Sequence, residues 1–272
     1  MPVVRELYVY PIKSLGGIKL DSVVLTDRGF QYDRRWMLVN EQNEFLTQRE
    51  YPQMALLQTE IDETGINVFH KKNENKKRSI PFNSETNNRI MVKVWEDLCE
   101  AIVVNDELSE WFSNQLQLKC RLVYMPDDAL RKVDKTYALN NEITSFSDGY
   151  PALMISKESL DDLNGRLMES LPMNRFRPNI VIENCKPYEE DEMEHFVINE
   201  INFFGVKLCS RCVITTTNQD TAEKNKEPLR TLAKYRSVNN HIYFGQNVLY
   251  KGNGKISTGD TISIIKRKQS FF

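Results

Sequence analysis

The sequence predicts an α+β protein in which many short strands form barrel-like sheets and a few helices pack against them. Three observations support this fold class. Short alternating or β-branched runs occur along the whole chain, glycine-containing turn signals separate them, and only three stretches have helical spacing. Many short strands with few helices are typical of barrel-like sheets. The predicted fold is therefore strand-rich α+β.

The predicted strands are recognised by their apolar and β-branched residues. They are VRELYVYPI, SVVLT, RWMLVN, INVFH, VKVW, RLVYM, NIVI, VKLCSRCVITTT, VLYKG and DTISII. Turns are predicted between strands at residues 16–17, 28–29, 63–65 and 252–254. In this interpretation the β-branched run after Cys212 continues a strand.

Three stretches favour helices instead. In NDELSEWFSNQLQL the apolar residues recur at helical spacing, behind Asn105 or Asp106 as the cap. In SKESLDDLNGRLMESL, Ser156 is the predicted cap and the buried stripe extends to Leu167. In EPLRTLAKYR, Pro228 occupies a position in the first turn.

Length and charge limit the possible functions. The 272 residues suit one large domain or two closely packed small ones. The loop-like stretch MPDDALRKVDK predicts a division into residues 1–125 and 126–272. With 36 Lys and Arg against 38 Asp and Glu, no general basic field favours nucleic acid. The local basic run HKKNENKKR predicts a solvated hairpin end.

The sequence also predicts a cytoplasmic protein without a membrane partner. The N-terminus lacks the charged start and apolar stretch of a secretory signal. No apolar run approaches the roughly 18 residues that span a bilayer. Five cysteines, an odd number, indicate reduced thiols.

The stretch CSRC places two cysteines, Cys209 and Cys212, on either side of a serine and an arginine. A zinc site would need further ligands, but the other cysteines and the three histidines are isolated in sequence. A redox pair would be expected at the start of a helix, and this pair lies in a predicted strand. Two buried structural cysteines, or one metal-ligating thiolate beside the charge of Arg211, remain open alternatives.

Eight blocks of sequence occur in a characteristic order across almost the whole chain. They are YVYPIKS, DRRWMLV, SFSDGYPALMISKESLDDLN, NRFRPNIVI, CSRCVITTTNQDT, KEPLRTL, YFGQN and GKISTGDTI. In these blocks the sequence resembles the MOSC-domain family. Within that family it is similar to mitochondrial amidoxime-reducing components and bacterial N-hydroxylaminopurine-reducing molybdoenzymes. The resemblance implies an N-terminal β-barrel-like domain packed against a MOSC-type β-barrel domain.

The resemblance also implies a molybdenum–pterin cofactor, Mo-molybdopterin. Its metal ligand would be the second cysteine of CSRC, Cys212, which would also be the catalytic residue, and Cys209 would be a bystander. The implied cofactor contacts are Lys13, Ser14, Arg34, Ser147, Asp148, Arg177, Asn179, Ser210, Arg211 and Asn247. Asn247 stands where the mitochondrial enzymes have a tyrosine. Because these residues come from both halves of the chain, the cofactor is expected between the two domains.

The implied activity is a two-electron reduction of small N-hydroxylated compounds such as amidoximes, hydroxylamines or N-hydroxylated bases. The sequence has no C-x₄-C-x₂-C spacing for an iron–sulfur cluster. Electrons are therefore expected from a separate donor of ferredoxin, flavodoxin or cytochrome b5 type. The alternative is a module that carries or handles the molybdenum cofactor or its sulfur, related to the C-terminal domains of cofactor sulfurases. In that alternative Cys212 would carry the sulfur.

Overall fold

The computed structural model describes residues 1–82, 86–270 and 272. These residues form nineteen β-strands and three α-helices, which confirms the predicted strand-rich α+β class. The strands are β1 (Val3–Val9), β2 (Ile18–Leu20), β3 (Ser22–Thr26), β4 (Gly29–Phe30), β5 (Trp36–Val39), β6 (Leu57–Ile61), β7 (Gly65–His70), β8 (Asn73–Pro81), β9 (Arg89–Val94), β10 (Asp97–Val103), β11 (Arg121–Tyr124), β12 (Ala152–Ser156), β13 (Ile180–Glu183), β14 (Met193–Ile198), β15 (Ile201–Ser210), β16 (Ser237–Val238), β17 (His241–Lys251), β18 (Gly254–Ser257) and β19 (Ile262–Arg267). The helices are α1 (Asp106–Leu116), α2 (Lys157–Asn164) and α3 (Leu229–Leu232), with 3₁₀-helices at Pro52–Leu56, Met173–Arg175, Glu189–Glu192 and Val213–Thr216.

A nine-stranded sheet is the largest element of the fold. Its strand order is β19-β14-β15-β17-β12-β13-β1-β2, with β16 paired to β17. Strand β1 pairs antiparallel with β13, so that Leu7 lies opposite Ile180. Strands β1 and β2, from the first twenty residues, therefore belong to a sheet whose other strands follow residue 150. The predicted domain boundary near residue 125 stays a prediction, and this strand pairing crosses it.

Three smaller sheets complete the fold. One has the order β5-β11-β10-β9, a second β18-β3-β4 and a third β6-β7-β8. Residues 73–79 of β8 are exposed, which confirms the solvated hairpin predicted for the basic run. Among the described residues no helix is long and apolar enough to cross a bilayer.

The two predicted helix caps are confirmed. The side chains of Asn105 and Ser156 each accept a hydrogen bond from a backbone N–H three residues ahead, at 2.8 and 3.0 Å. Helix α2 ends earlier than predicted, so Leu167 lies beyond it and packs, partly buried, against the core that contains Phe176. The third helix is a single turn that starts after Pro228.

The prediction of a strand after Cys212 is wrong. Strand β15 ends at Ser210, and Val213–Thr216 form a 3₁₀-helix. The Thr215 hydroxyl donates to the Cys212 carbonyl at 3.0 Å, and the next threonine makes the equivalent bond at 2.7 Å. Such local bonds compete with sheet pairing despite the β-branched composition. The turn takes Cys212 out of the sheet and leaves it exposed.

A buried polar cluster lies at the start of α2. Glu190 is fully buried and accepts hydrogen bonds from the Ser156 N–H at 3.0 Å and the Ser159 hydroxyl at 2.8 Å. The neighbouring Asp191, also buried, forms an ion pair with Arg236. Burial, reinforced by the Asp191 charge, raises the pKa of Glu190 to about 7.

We expect the wild type to lose stability relative to Glu190→Gln as the pH rises. The carboxyl ionises near pH 4.5 in the unfolded chain and near 7 in the fold. Between these values folding retains a proton that the unfolded chain releases, so stability falls with rising pH, and a neutral glutamine removes this dependence. Thermal melts between about pH 5 and 8 should show the Tm of the variant rising relative to that of the wild type. The expected rise is roughly 2–4 °C for each kcal/mol of unfolding free energy that the wild type loses. A constant difference in Tm at every pH would contradict the assignment.

Candidate functional site

All eleven site residues predicted from the sequence line one cleft of about 240 Å³. They are Lys13, Ser14, Arg34, Ser147, Asp148, Arg177, Asn179, Ser210, Arg211, Cys212 and Asn247. Residues from the first forty positions thus meet residues from the second half of the chain. Their individual roles stay predictions, but their juxtaposition is a property of the fold.

A row of residues that crosses adjacent strands of the nine-stranded sheet positions this cleft. Lys207 of β15 lies opposite Asn247 of β17, and Asn247 lies opposite Leu153 of β12. The backbone of Asn179 bonds to the Leu153 carbonyl and accepts from the N–H of Tyr8 in β1. The row therefore crosses from β15 to β1, and all of its members except Tyr8 line the cleft.

Three of the predicted residues have left-handed backbone conformations. The φ angle is 68° at Ser14, 49° at Arg34 and 54° at Arg177. Positive φ is uncommon for residues other than glycine. Each such conformation costs on the order of 1–3 kcal/mol and persists where the surrounding structure imposes it, often at a functional site. The fold thus holds these residues in place at an energetic cost.

Two arginines share one aromatic ring in the cleft but differ in their partners. The guanidinium carbons of Arg34 and Arg177 lie 4.3 and 4.2 Å from the ring centroid of Tyr10. Arg34 also donates to the Asp33 carboxylate at 2.6 Å and to the Asn179 side-chain oxygen at 3.0 Å. Burial lowers the pKa of Arg177 to about 10, so the group stays charged at neutral pH. Arg34 therefore forms an ion pair and hydrogen bonds within the protein. The Arg177 guanidinium has no carboxylate partner among the described residues and can bind an anionic ligand.

A buried lysine and an exposed aspartate form an ion pair in the same cleft. The Lys13 Nζ lies 2.5 Å from the Asp148 Oδ1, and their side chains are 6% and 68% exposed. Burial lowers the pKa of Lys13 to about 8. Desolvation favours the protonated form of Asp148, but the Lys13 charge overcomes it and holds the pKa of the carboxyl well below its usual range. Both groups are therefore mainly charged at neutral pH.

The cleft has an excess of positive charge. Six cations line it, and within the described residues only Lys13 and Arg34 form ion pairs with carboxylates. The other four are Arg49, Arg177, Lys207 and Arg211. Guanidinium and ammonium groups without carboxylate partners are suited to bind a phosphate or another polyanion.

Two of these cations, Arg49 and Lys207, were not predicted from the sequence. Lys207 and Cys209 are two positions apart on β15, and this spacing places both side chains on the same face of a strand. That spacing could have identified Lys207. Arg49 lies in a loop after β5 and has no comparable signal in the sequence.

The two cysteines have different surroundings. The Sγ of Cys209 accepts a hydrogen bond from Arg211 at 3.0 Å, and burial raises the pKa of its thiol. Cys212 is exposed, has a free thiol and lines the cleft. Arg211 lies between the two cysteines in sequence, but its hydrogen bond goes to Cys209, the predicted bystander. The exposed cysteine is the one that resemblance identifies as the metal ligand.

The donor groups of the cleft fit an anionic cofactor that carries its own metal. In the described ranges no three His, Cys, Asp or Glu side chains are grouped so that they could hold a metal ion by themselves. Cys212 can supply one soft sulfur ligand to a metal bound mainly by other groups. The Nε of Arg211 is buried without a hydrogen-bond partner, as expected of a donor whose acceptor belongs to a ligand.

Two other predicted residues use their side chains within the protein. The Ser147 hydroxyl lies 2.6 Å from that of Thr144 and donates to the Tyr150 carbonyl at 2.8 Å. The Asn179 side-chain oxygen accepts from Arg34 and from the backbone of Leu153. Both line the cleft, and the hydrogen bonds of their side chains are made within the protein.

Three remaining residues, Ser14, Ser210 and Asn247, have fewer internal contacts. The Ser14 carbonyl accepts from the Gln48 side chain at 2.7 Å, which fixes its backbone. The Ser210 hydroxyl lies 3.3 Å from the Nδ1 of His241. The Asn247 amide donates to a strand carbonyl at 3.3 Å, and its oxygen has no such contact among the described residues.

Comparison with protein-family models identifies the class of protein to which this fold and cleft belong. Residues 1–119 match the MOSC N-terminal beta barrel domain, and residues 141–263 match the MOSC domain. The chain belongs to the family of MOSC-domain proteins that includes the mitochondrial amidoxime-reducing components. The resemblance seen in the sequence blocks is thereby confirmed.

The chain is also similar to several individual proteins. The chain is 30% identical over 283 residues to mitochondrial amidoxime-reducing component 1 of Mus musculus, which covers 96% of this chain and 82% of that protein. It is also 32% identical over 260 residues to a molybdenum cofactor sulfurase of Oryza sativa, covering 89% of this chain but only 32% of the sulfurase. Among solved structures, the YUAD protein from Bacillus subtilis aligns over 96% of this chain and 94% of its own, with 9% identity and a TM-score of 0.42.

The different partners of the two arginines lead to a stability prediction. Arg34→Ala should destabilise the cofactor-free protein by about 3–5 kcal/mol, because it leaves the fully buried Asp33 carboxylate without its cation. Arg177→Ala serves as the matched control and should cost much less, since it breaks no ion pair. Chemical denaturation of both cofactor-free variants measures this difference. Equal losses would show that Arg177 has a structural role that its contacts do not reveal.

Proposed function

We propose that this protein is a molybdenum-cofactor-dependent oxidoreductase that reduces small N-hydroxylated compounds. The observation that carries the proposal is the cationic cleft, in which unpaired guanidinium groups surround one exposed cysteine, Cys212. The similarity to amidoxime-reducing components supports the reaction class. The substrates would be amidoximes, hydroxylamines or N-hydroxylated bases.

The cleft offers distinct groups for the two ends of such a cofactor. Cys212 would bind the metal, since a soft thiolate suits a centre already held by sulfur ligands. Arg177, Arg211 and Lys207 would bind the phosphate, because none of them is neutralised by a carboxylate in the described structure. Arg34 would orient the group from a position fixed by Asp33. When bound, the cofactor would supply the two-electron redox chemistry of the reduction.

The reduction consumes two electrons and two protons and releases water for each N–O bond cleaved. Lys13 holds an exchangeable proton at the wall of the cleft, and Asp148 connects it to solvent through their ion pair. Phe45 lies on the other side of the lysine, with the Lys13 Nζ 5.3 Å from its ring centroid. Lys13 and Asp148 would hold and deliver protons, and the substrate would enter through the exposed side near Cys212.

Electrons would come from a separate redox protein of ferredoxin, flavodoxin or cytochrome b5 type. The five cysteines lack the spacing of an iron–sulfur cluster. All five are free in the structure. Reduced methyl viologen can replace the donor in an assay, so that the reductase activity can be tested before the donor is known.

A second function, handling of the molybdenum cofactor or its sulfur, is favoured by one observation. Nearly the whole chain matches the part of the plant molybdenum cofactor sulfurases that it covers, about one third of their length. An exposed thiol such as Cys212 could carry a persulfide sulfur. A protein with this function would bind molybdenum cofactor without turning over N-hydroxylated compounds.

We expect cofactor-loaded protein to contain molybdenum and to reduce benzamidoxime to benzamidine with reduced methyl viologen. Elemental analysis and product chromatography measure the two properties independently. Molybdenum without turnover would favour the sulfur-handling function. Stoichiometric zinc in place of molybdenum would contradict both functions.

We expect Cys212→Ser to abolish this activity and Cys209→Ser to retain most of it. Oxygen is a harder ligand than sulfur, so the exposed serine would hold the metal poorly. The Cys209 thiol instead accepts a hydrogen bond from Arg211 that a serine oxygen can also accept. Activity and molybdenum content of both variants test the assignment. Equal loss in the two variants would restore the paired-cysteine interpretation.

We expect Arg177→Ala to reduce the pterin content of purified protein while leaving the fold intact. A charge-assisted hydrogen bond to phosphate contributes about 1.5–3 kcal/mol, which corresponds to roughly tenfold to a hundredfold weaker binding. Fluorescence of the extracted, oxidised pterin measures occupancy. Glu100→Gln is the control, because it removes the charge of a side chain on β10 that is 39% exposed and does not line the cleft. Normal pterin content in Arg177→Ala would contradict phosphate binding at this residue.

A further inference from the structure

A tryptophan occupies an unusual backbone position at the edge of the cleft. Strands β9 and β10 form a hairpin in which Val94 pairs with Asp97, so the loop contains only Trp95 and Glu96. The φ angle of Trp95 is 58°. A positive φ at the first position of a two-residue hairpin loop normally selects glycine or asparagine. A bulky aromatic residue is strained there, and such strain often accompanies function.

Burial does not compensate for this strain. Trp95 is 38% exposed, whereas Trp36 in the core is 1% exposed. If the ring served only to pack the hairpin against the protein, the fold would be expected to bury it. Instead Trp95 lines the cleft that contains Cys212 and has part of its surface in solvent.

The ring is held in place by a short series of cation and aromatic contacts. The Arg49 guanidinium carbon lies 4.0 Å from the Trp95 ring centroid. The ring of Phe45 lies 5.3 Å from that of Trp95, and the Lys13 Nζ lies 5.3 Å from the Phe45 ring. The series therefore leads from the exposed tryptophan to the Lys13–Asp148 ion pair. A cation against the face of an aromatic ring is attracted by the ring's π-electrons and so fixes its orientation.

We propose that Trp95 is a specificity-determining residue that stacks on the planar aromatic part of N-hydroxylated substrates. Arg49 and Phe45 hold the indole, and its exposed surface receives the substrate ring in an offset or edge-to-face arrangement. Aliphatic N-hydroxylated compounds lack this contact and bind without it. The inference rests on the proposed reductase function and assigns a preference for aromatic substrates to this wall of the cleft.

The test compares benzamidoxime with acetamidoxime, which has the same reacting group but no ring. In Trp95→Gly we expect kcat/KM for benzamidoxime to fall roughly tenfold, mostly through KM, and that for acetamidoxime to change less than about twofold. Trp95→Phe should recover most of the loss. Glycine and asparagine both tolerate positive φ, so Trp95→Asn is a second ring-free variant that should fold.

A binding measurement provides a readout that does not depend on turnover. Calorimetric titration of benzamidoxime into oxidised, cofactor-loaded protein, without reductant, should give a Kd about tenfold higher for Trp95→Gly than for the wild type. Leu98→Ala is the matched control, because Leu98 lies on the same hairpin, is 69% exposed and is absent from the cleft lining. This control should bind benzamidoxime as the wild type does.

Several outcomes would overturn the inference. One is an equal loss of kcat/KM for both substrates in the ring-free variants. Another is a Kd for benzamidoxime that is unchanged in Trp95→Gly, or a wild type that does not bind benzamidoxime at all. Loss of pterin from Trp95→Gly would also overturn it, because the ring would then be a cofactor contact. If the wild type reduces neither compound but binds benzamidoxime through Trp95, the proposed reductase function fails while the aromatic site stands. If it reduces both and Trp95→Gly keeps the wild-type preference, the aromatic site fails while the reductase function stands.

Discussion

The candidate site depends on the way Tyr10 connects the start of the chain to its second half. The Tyr10 N–H donates to the Asp33 carboxylate at 2.8 Å, and its hydroxyl donates to the Pro178 carbonyl at 3.0 Å. Both cleft arginines, Arg34 and Arg177, lie against its ring. Because Tyr10 is 2% exposed, these contacts form away from water, in a low-dielectric environment where hydrogen bonds are stronger. One side chain thus fixes two cations whose positions in sequence differ by more than a hundred residues.

The charge distribution around this ring explains how the fold tolerates so many cations. Asp33 and Asp148 neutralise Arg34 and Lys13, whose side chains are 13% and 6% exposed. The remaining cations are partly exposed or rest on aromatic rings, as Arg49 does on Trp95, so solvent and π-electrons stabilise them without a carboxylate. An anionic ligand would complete the neutralisation. The positive φ angles at the cleft are consistent with a site whose geometry serves binding and lowers stability.

Local signals in the sequence were sufficient for most of the secondary structure. The caps at Asn105 and Ser156 were predictable because a cap depends on residues three positions apart. The strand predicted after Cys212 failed because threonine hydroxyls bonded to nearby carbonyls, an alternative that β-branched composition does not reveal. The Arg211 hydrogen bond to Cys209 could not be predicted either, since sequence adjacency to two thiols does not say which one the side chain reaches.

The sequence by itself determined the fold class, because strand and helix periodicities are short-range patterns. Its ordered blocks determined the family resemblance, and that resemblance implied the eleven residues that line one cleft. The tertiary structure decided which side chains remain available in that cleft. Arg34 forms an ion pair with Asp33 whereas Arg177 forms none among the described residues, and Cys212 is exposed whereas Cys209 is half-buried. The tertiary structure also brought in Arg49 and Trp95, which no motif identifies. The physical reason is that burial and pairing depend on contacts between distant segments, such as β1 with β13, that local sequence does not encode.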